Sequence, residues 1–557
     1  MPASRAVLVG VGRLTQRRPE SLDDASDAVD LSVEATKLAL LDAGVTTNDV
    51  DAVYYIDMFG ESRSFPKKSS TYNHPAKDVA DRLELRNVKP ENLLKGPVGG
   101  NTPQVSVNMI AERITKGEIE CAVITGAEAL DSYTQALKKK LQPRADIERT
   151  SEEGKVFRWG DTQEKGPEWG KKLRMTSSQD VIHGVAQMPH SYALLEQGLR
   201  HSDGVSEEER RRSNGNLFAG YNKVASAPEN SDQSWFPTPR TAEEIANVSD
   251  ENRMVAFPYP KFQCAVMDVN QAASVLVMSE TRAKAIGVPQ SKMVYLHGCG
   301  DCEDAALRVL EKPVFDRCFG MKLAGEAALK MSGLSVADIK YYDVYSCFPV
   351  AVRLSCREIG IDKVIDIEKD SHLLTVTGGL PYHGGPGNNY VTHSIAAMVE
   401  HLRRDPGTFG MVTANGGVTS KHAVGIYSTT PPPQERVFVR PDLSNALDDI
   451  RKQYPPRECV KNPGTCTGVV RTFTATHSKA ATGPDLVSCV GDITSGPHKG
   501  KRFIAITTEK EEMQPFMENP DSCFNIPVAI ETKDNAFGRK GFFRSTFKRI
   551  QNQPNRL

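Results

Sequence analysis

The stretch Leu38–Tyr55, LALLDAGVTTNDVDAVYY, returns far downstream as Ala327–Val344, AALKMSGLSVADIKYYDV. Aligning Gly44 with Gly333 places Leu40 on Leu329, Asp49 on Asp338 and Val50 on Ile339. Each copy reads as an Ala/Leu-rich helix, a glycine stop, a short turn with an acidic residue and then a strand. A second pair follows in the same order. GGNTPQVSVNMIAERI from Gly99 matches GGPGNNYVTHSIAAMVEHL from Gly384, with Ile110 on Ile395. Both lead into strands, CAVITGAEA and GMVTANGGV. A third pair, NQAASVLVMSE and SKHAVGIYSTT, sets Ala273 on Ala423. Three similarities in one order point to a duplicated half-domain.

Each half alternates strands with amphipathic helices, which predicts a mostly parallel sheet covered by helices. Gly-rich loops at the strand ends then face a shared site between the halves. The loops at Gly99 and Gly384 are mates in that arrangement. After the first, Thr102 suits a helix cap and Pro103 the first turn. Val105, Met109, Ile110 and Ile114 recur at helical spacing, and Gly117 fits the stop. Gly99 and Gly100 therefore open a helix N-terminus, whose free N–H groups favour a developing negative charge. No Cys, Ser or Thr stands at its head.

The chain has 557 residues, 69 basic against 70 acidic, and a net charge of −1, so charge gives no case for nucleic acid. No apolar run reaches membrane-spanning length, and the N-terminus moves straight into a strand rather than a signal peptide. Eleven scattered cysteines suit a reducing compartment. Cys299 and Cys302 form a close pair with no second pair at zinc spacing, and read as buried thiols in a turn; no metal site is expected. Residues 141–262 form a charged insertion of weak periodicity, placed as a lid over the site, within which SEEERRRSNGNLFAGYNK reads as a solvated helix start. Pro431–Pro433 mark a linker. Beyond them GVVRTFTATHS, DLVSCVGDI, GKRFIAITTE and FNIPVAIET alternate as strands of a small antiparallel barrel of oligonucleotide-binding (OB) type, followed by a basic tail read as a solvated end.

Several motifs carry a resemblance to the thiolase superfamily across residues 5–430. ITGAEAL is similar to its Gly-Gly-Glu strand end, and VNQAASVLVMSETRAKAIGVP to its Asp-Gly-Ala-Ala stretch. SCFPVAVRL resembles its Asn-Glu-Ala-Phe or His-Asp-Cys-Phe motif, and GGLPYHGGPGN its Gly-His-Pro loop. With the added C-terminal segment the chain most resembles the type-1 thiolase-like proteins. The resemblance implies an α/β fold of duplicated thiolase-type halves in five layers, α-β-α-β-α. It sets an N-terminal half at 1–140 completed by 263–290, the insertion at 141–262, a C-terminal half at 291–430, and an OB-like β domain with a basic tail at 431–557.

Thiolases act on acyl-CoA thioesters with a cysteine nucleophile at a helix start, a histidine base, a second cysteine and paired oxyanion holes. In this chain the nucleophile position falls on Gly99 and the second cysteine on Ala414. The histidine of Gly-His-Pro falls on Gly385, with His383 two places earlier. Tyr345 and Ser346 stand where one branch has His-Asp, and Cys347 is out of register with the family nucleophile and reads as a buried small hydrophobe. The resemblance thus leaves His383 as a base or oxygen donor, Tyr345 as an oxyanion donor, and Asn415 to orient a water or acyl oxygen. Gly99, Gly100, Gly384, Gly385 and Ser346 would line the substrate.

The implied ligand is an acyl-CoA or similar thioester, with no other cofactor. The implied role is an acyltransferase-family or thioester-processing protein of lipid and acyl-CoA metabolism lacking both cysteines. The alternative is a non-catalytic acyl-CoA-binding or scaffold protein with a C-terminal partner-binding domain. Monomer and homodimer stay open. The location is cytoplasmic, with the peroxisomal matrix as an alternative because the final NRL distantly resembles Ser-Lys-Leu.

Overall fold

Both copies of the repeated stretch adopt one local structure in the computed structural model, which describes residues 4–21, 24–59, 74–138, 176–433, 436–479, 483–534 and 536–550. Helices Ala28–Ala43 and Phe319–Ser332 end on Gly44 at φ +67° and Gly333 at φ +73°. Only glycine holds that left-handed C-cap without strain. Each is followed by a capping box, Thr46 with Asp49 and Ser335 with Asp338, that opens a short 3-10 turn. Strands then follow in both copies.

Nine strands form one sheet: β1 Ala6–Thr15, β2 Ala52–Tyr55, β3 Leu93–Lys95, β4 Cys121–Ala129, β7 Asn270–Ser279, β8 Val294–Glu303, β9 Tyr341–Asp343, β10 Phe409–Gly416 and β11 Lys421–Ser428, with β5 Met254–Ala256 and β6 Tyr259–Pro260 lying outside it. Its order is β3-β2-β4-β7-β1-β8-β11-β10-β9. The expected mostly parallel pairing does not hold. Only β2 with β3, β2 with β4, and β9 with β10 run parallel. The reason is connectivity. Strands β10 and β11 are joined by a tight turn, which forces an antiparallel pair, and β7 enters between β4 and β1 from the opposite end after the insertion. The two strand groups meet through β1 and β8, at Val7 opposite Tyr295 and Leu8 opposite Val294.

Helices Thr102–Thr115 and Tyr390–Arg404 pack on each other and on strands of both groups. Thr102 is not the cap: Asn101 holds that position, and the Thr102 hydroxyl donates to Pro97 O at 2.9 Å. Helix Ala28–Ala43 lies against β1, where a Cβ on Gly10 would stand 2.1 Å from Ala39 O. Helix Phe319–Ser332 lies against β8, where Gly298 meets Ala328 O at the same 2.1 Å. Such close approach excludes any side chain at either strand position.

From residue 176 the insertion is more regular than its weak periodicity suggests. Its stretch RTSEEGKVFRWGDTQEKGPEWGKK lies outside the described residues. From 176 onward it holds helices Met188–Asp203 and Glu207–Ala225, the second opened by a Ser206–Glu209 capping box. The charge run on that helix is not wholly solvated. Arg210 is buried against Glu196 at 3.2 Å and Asp203 at 2.5 Å.

Past the linker, β12 Cys466–Thr476, β13 Leu486–Ile493, β14 Arg502–Thr507, β15 Pro527–Lys533 and β16 Arg544–Arg549 close into a five-strand barrel. The barrel closes in the order β12-β13-β14-β16-β15, with β15 pairing back to β12. One pairing, β14 with β16, is parallel, so the barrel is not purely antiparallel. The basic tail supplies its fifth strand, with Ser545 and Phe547 buried and Arg549 bonded to Glu512 at 3.0 Å. Alternation of inward Ser545 and Phe547 with outward charges explains why this strand reads as a solvated end. The final NRL lies outside the described residues. Cys299 and Cys302 are on strand β8, not in a turn. Among the described residues no helix is long and apolar enough to cross a membrane.

Candidate functional site

The Gly99 loop and the loop before helix Tyr390–Arg404 converge on one cavity of about 630 Å³. Gly99, Gly100, Gly385 and Asn388 line it, and the Gly99 N–H donates to Asn388 Oδ1 at 2.9 Å. The two helix N-termini therefore meet at its inner wall. Glycine at position 100 is dictated by space. A Cβ there would stand 2.5 Å from Asn415 O and 2.6 Å from Tyr345 Oη.

Tyr345 and Asn415 both reach this wall. The Tyr345 side chain is buried, and burial with the neighbouring Cys347 pushes its pKa well above the ordinary value. Its hydroxyl stays protonated and remains a donor. Asn415 Nδ2 donates to Tyr192 Oη at 2.9 Å, while Asn415 Oδ1 is buried and meets no partner among the described residues. Cys347 also lines the cavity. Burial pushes its thiol up to about 12, so it is no thiolate at neutral pH.

Three of the expected residues lie elsewhere. His383 is fully buried behind the cavity wall and does not line it. Its Nε2 faces His393 Nδ1 at 3.3 Å, and its carbonyl accepts from Trp235 N–H at 2.7 Å and Gln271 Nε2 at 2.8 Å. Burial, and then the Arg13 charge, bring its pKa down to about 3, leaving a neutral ring. The cause is the turn at Gly384, φ +109°, which sends Gly385 rather than His383 toward the cavity. Gly384 itself packs on Gln271. Ser346 is buried too, its Oγ accepting from Leu380 N–H at 3.3 Å.

Sequence reasoning missed two residues. Tyr192, on insertion helix Met188–Asp203, donates to Gly417 O at 2.7 Å and stacks on Phe348 at 4.6 Å. The insertion thus builds part of the cavity wall. Lys421 is the second. Its Nζ donates to Val98 O at 2.6 Å and lies 2.7 Å from where a Cβ on Gly99 would stand. A lysine at a buried position of SKHAVGIYS was the one available signal, since a charge there needs a specific environment. The outer rim is charged, with Arg253, Lys261 and Lys479 beside Asp250, Glu251 and Asp268.

No family model matches the chain. Over 152 residues, 26% of this chain, it is 27% identical to the 3-ketoacyl-CoA thiolase of Salmonella newport and 28% identical to that of Citrobacter koseri. These matches span 33% of each relative's length. Among solved structures, a monomeric SCP2-thiolase like protein type 1 from Mycobacterium smegmatis superposes with a TM-score of 0.73. It is 27% identical, over 97% of this chain and 98% of that one. The chain belongs to the thiolase superfamily. The acetyl-CoA acetyltransferase of Syntrophomonas wolfei, at TM-score 0.51 and 16% identity over 77% of this chain, shares the superfamily's fold. The sheet and its flanking helices therefore form a thiolase-type α/β fold, with a closed five-strand barrel added toward the C-terminus.

Proposed function

We propose that the chain binds an acyl-CoA thioester in the cavity at Gly99 and Gly100 and does not perform cysteine-dependent thiolysis. The observation that carries this reading is a cavity of about 630 Å³ whose inner wall carries Tyr345 and Asn415 and whose rim carries three cations among three carboxylates. The inner wall offers the Tyr345 hydroxyl to a thioester oxygen. At the rim, Arg253, Lys261 and Lys479 suit the phosphates of CoA. Lys479 comes from the barrel segment, so that segment would share in holding the ligand.

The superfamily's nucleophile position is Gly99 and its second cysteine position Ala414, and Cys347 is held as a neutral thiol. Chemistry on the bound ligand would then be direct acyl transfer or thioester hydrolysis, with Tyr345 stabilising the oxyanion and Asn415 orienting a water. His383 would act from behind the wall as a positioning residue for the loop through Gly384 and Gly385, which Ser346 would brace by accepting from Leu380 N–H. A second reading, binding without turnover, is favoured by the absence of a titratable base on the inner wall among the described residues. Strand order supports duplicated halves: β2-β4-β7-β1 mirrors β9-β10-β11-β8. We read the central helices Thr102–Thr115 and Tyr390–Arg404 as the middle of five layers. The division at 1–140 with 263–290, 141–262, 291–430 and 431–557, an OB-type last domain, the oligomeric state and the cytoplasmic or peroxisomal address are part of the same proposal.

The test is thermal unfolding with acyl-CoAs of graded chain length. A ligand bound by the native state alone raises Tm, by an amount that grows with the logarithm of its concentration over Kd. No rise at any chain length would overturn the reading. Turnover, followed by release of free CoA thiol, separates the catalytic from the non-catalytic form.

A further inference from the structure

A second cavity of about 620 Å³ lies on the other side of the Gly99 loop, which acts as the partition between the two. Pro97, Asn101 and Thr102 line it from the loop, and Lys421 lines it from β11. The ammonium of Lys421 is not paired in the ordinary way. Among the described residues no carboxylate stands within 4 Å of it, and its one hydrogen-bond acceptor is Val98 O at 2.6 Å. Beside it Asn101 Oδ1 is buried and meets no partner among the described residues. Both atoms crowd one point, 2.6 Å and 2.7 Å from where a Cβ on Gly99 would stand. A glycine at 99 is what leaves room for the amine.

We propose that Lys421 is a nucleophilic amine that takes an uncharged ketone or aldehyde from this second cavity as an imine. The nitrogen lone pair forms the new C–N bond at the carbonyl carbon. The carbonyl oxygen leaves as water carrying both amine protons, and one proton from solvent leaves the product as an iminium. Such chemistry needs a neutral amine in a shielded place. Burial lowers the Lys421 pKa, and the opposing pull of Glu303 across the strand pair is the smaller effect. The other facing groups are engaged: Asp301 with Arg440 at 2.6 Å, and His422 Nε2 with Cys318 Sγ at 3.1 Å. The cavity lining carries five carboxylates, Glu112, Asp301, Glu303, Asp442 and Asp448, against Lys421, Arg440 and Arg451, and that excess of negative charge disfavours a carboxylated ketone. The site is separate from the acyl-CoA cavity, and its proposal does not rest on that reading.

Reductive trapping tests it. The whole protein is incubated with butanone and cyanoborohydride at pH 7, then mapped by peptide mass spectrometry. Lys421 is expected to gain the alkyl group faster than the exposed Lys89 and Lys499, because a pKa lowered by burial leaves more of its amine neutral. Acetoacetate in place of butanone is expected to label it less. Ser444→Trp, which fills the rim of this cavity, is expected to abolish the Lys421 label. An unmodified Lys421, or one labelled no faster than Lys89 and Lys499, would make it a packing residue beside Gly99. The wild-type map decides this without any substitution at Lys421. Calorimetry of the same sample with acyl-CoA reads the first cavity independently.

Discussion

Gly100→Ala is the substitution that probes the loop most directly. Its new Cβ would stand 2.5 Å from Asn415 O and 2.6 Å from Tyr345 Oη. An ordinary C···O contact is about 3.3 Å, so roughly 0.8 Å has to open. Asn415 O belongs to the backbone of β10 within the large sheet and cannot swing aside. The loop must move instead. Strain of this kind costs about 1–3 kcal/mol. Moving the loop also draws the helix start away from the Tyr345 hydroxyl. Loss of that one hydrogen bond to a thioester oxygen is worth about 1 kcal/mol, roughly fivefold in Kd. Gly99→Ala is the matched control, because its Cβ meets only Asn101 Oδ1 and the end of the Lys421 side chain, which can shift. Urea unfolding at constant m gives the stability term, and calorimetric titration with an acyl-CoA gives the affinity term. A Gly100→Ala protein within about 0.5 kcal/mol of wild type and of equal affinity would refute the claim that Asn415 and Tyr345 fix this loop.

Three further outcomes are expected. Acetoacetyl-CoA thiolysis should be undetectable, and alkylating accessible thiols should leave acyl-CoA binding unchanged; robust turnover lost on Cys347→Ser would reveal a relocated nucleophile. Arg210→Met should destabilise by about 3–5 kcal/mol in urea, because it strands the fully buried Glu196, whose other partner is the Tyr259 hydroxyl at 2.7 Å; Glu196→Gln in the same background should recover part of the loss, and a neutral Arg210→Met would deny the pair any structural role. Stability should fall from pH 6.5 toward pH 4. Burial holds His183, His190 and His422 down to about 4 and His383 down to about 3, below the ordinary 6.5. The unfolded chain therefore binds more protons in that window, at about 1.4 kcal/mol per pH unit for each ring. Glu207, raised to about 7 by burial, opposes them, as do Asp51, Asp180 and Asp343, which burial also raises. A urea midpoint flat between pH 7 and pH 5 would contradict the burial of these rings.

What the sequence made legible was whatever is local. The glycine stops at Gly44 and Gly333, their acidic turns and the strands after them are set within a few residues, and each copy repeats the same backbone problem. Four barrel strands announced themselves by alternation for the same reason. Strand direction was not local. Whether β7 and β11 run with or against their neighbours depends on which end of the sheet the chain re-enters, and periodicity carries no such information. The fifth barrel strand, Arg544–Arg549, hid its two inward residues among basic ones.

At the site the same division explains both what was found and what was missed. Gly99, Gly100 and Gly385 were legible because a loop that enters a helix needs them there, and they do line the cavity. His383 falls behind the cavity wall because a single left-handed turn at Gly384 decides which neighbour faces inward, and a two-residue offset along a loop carries no orientation. Tyr192 gave no signal and Lys421 only that of a lysine inside an apolar strand, because each reaches the Gly99 region from a segment more than ninety residues away in the chain. Their meaning lies in the space that a missing side chain opens. A glycine at 99 reads in the sequence as a loss. Once Lys421 Nζ is found 2.7 Å from its absent Cβ, the same glycine becomes the condition for placing an amine there. The reading then rests on one comparison: Gly99→Cys must displace Lys421 before it can present a thiol to the acyl-CoA cavity. Restored thiolysis in that variant would show the lysine to be mere filler, whereas continued inactivity with loss of the Lys421 label would show that the two side chains compete for one place.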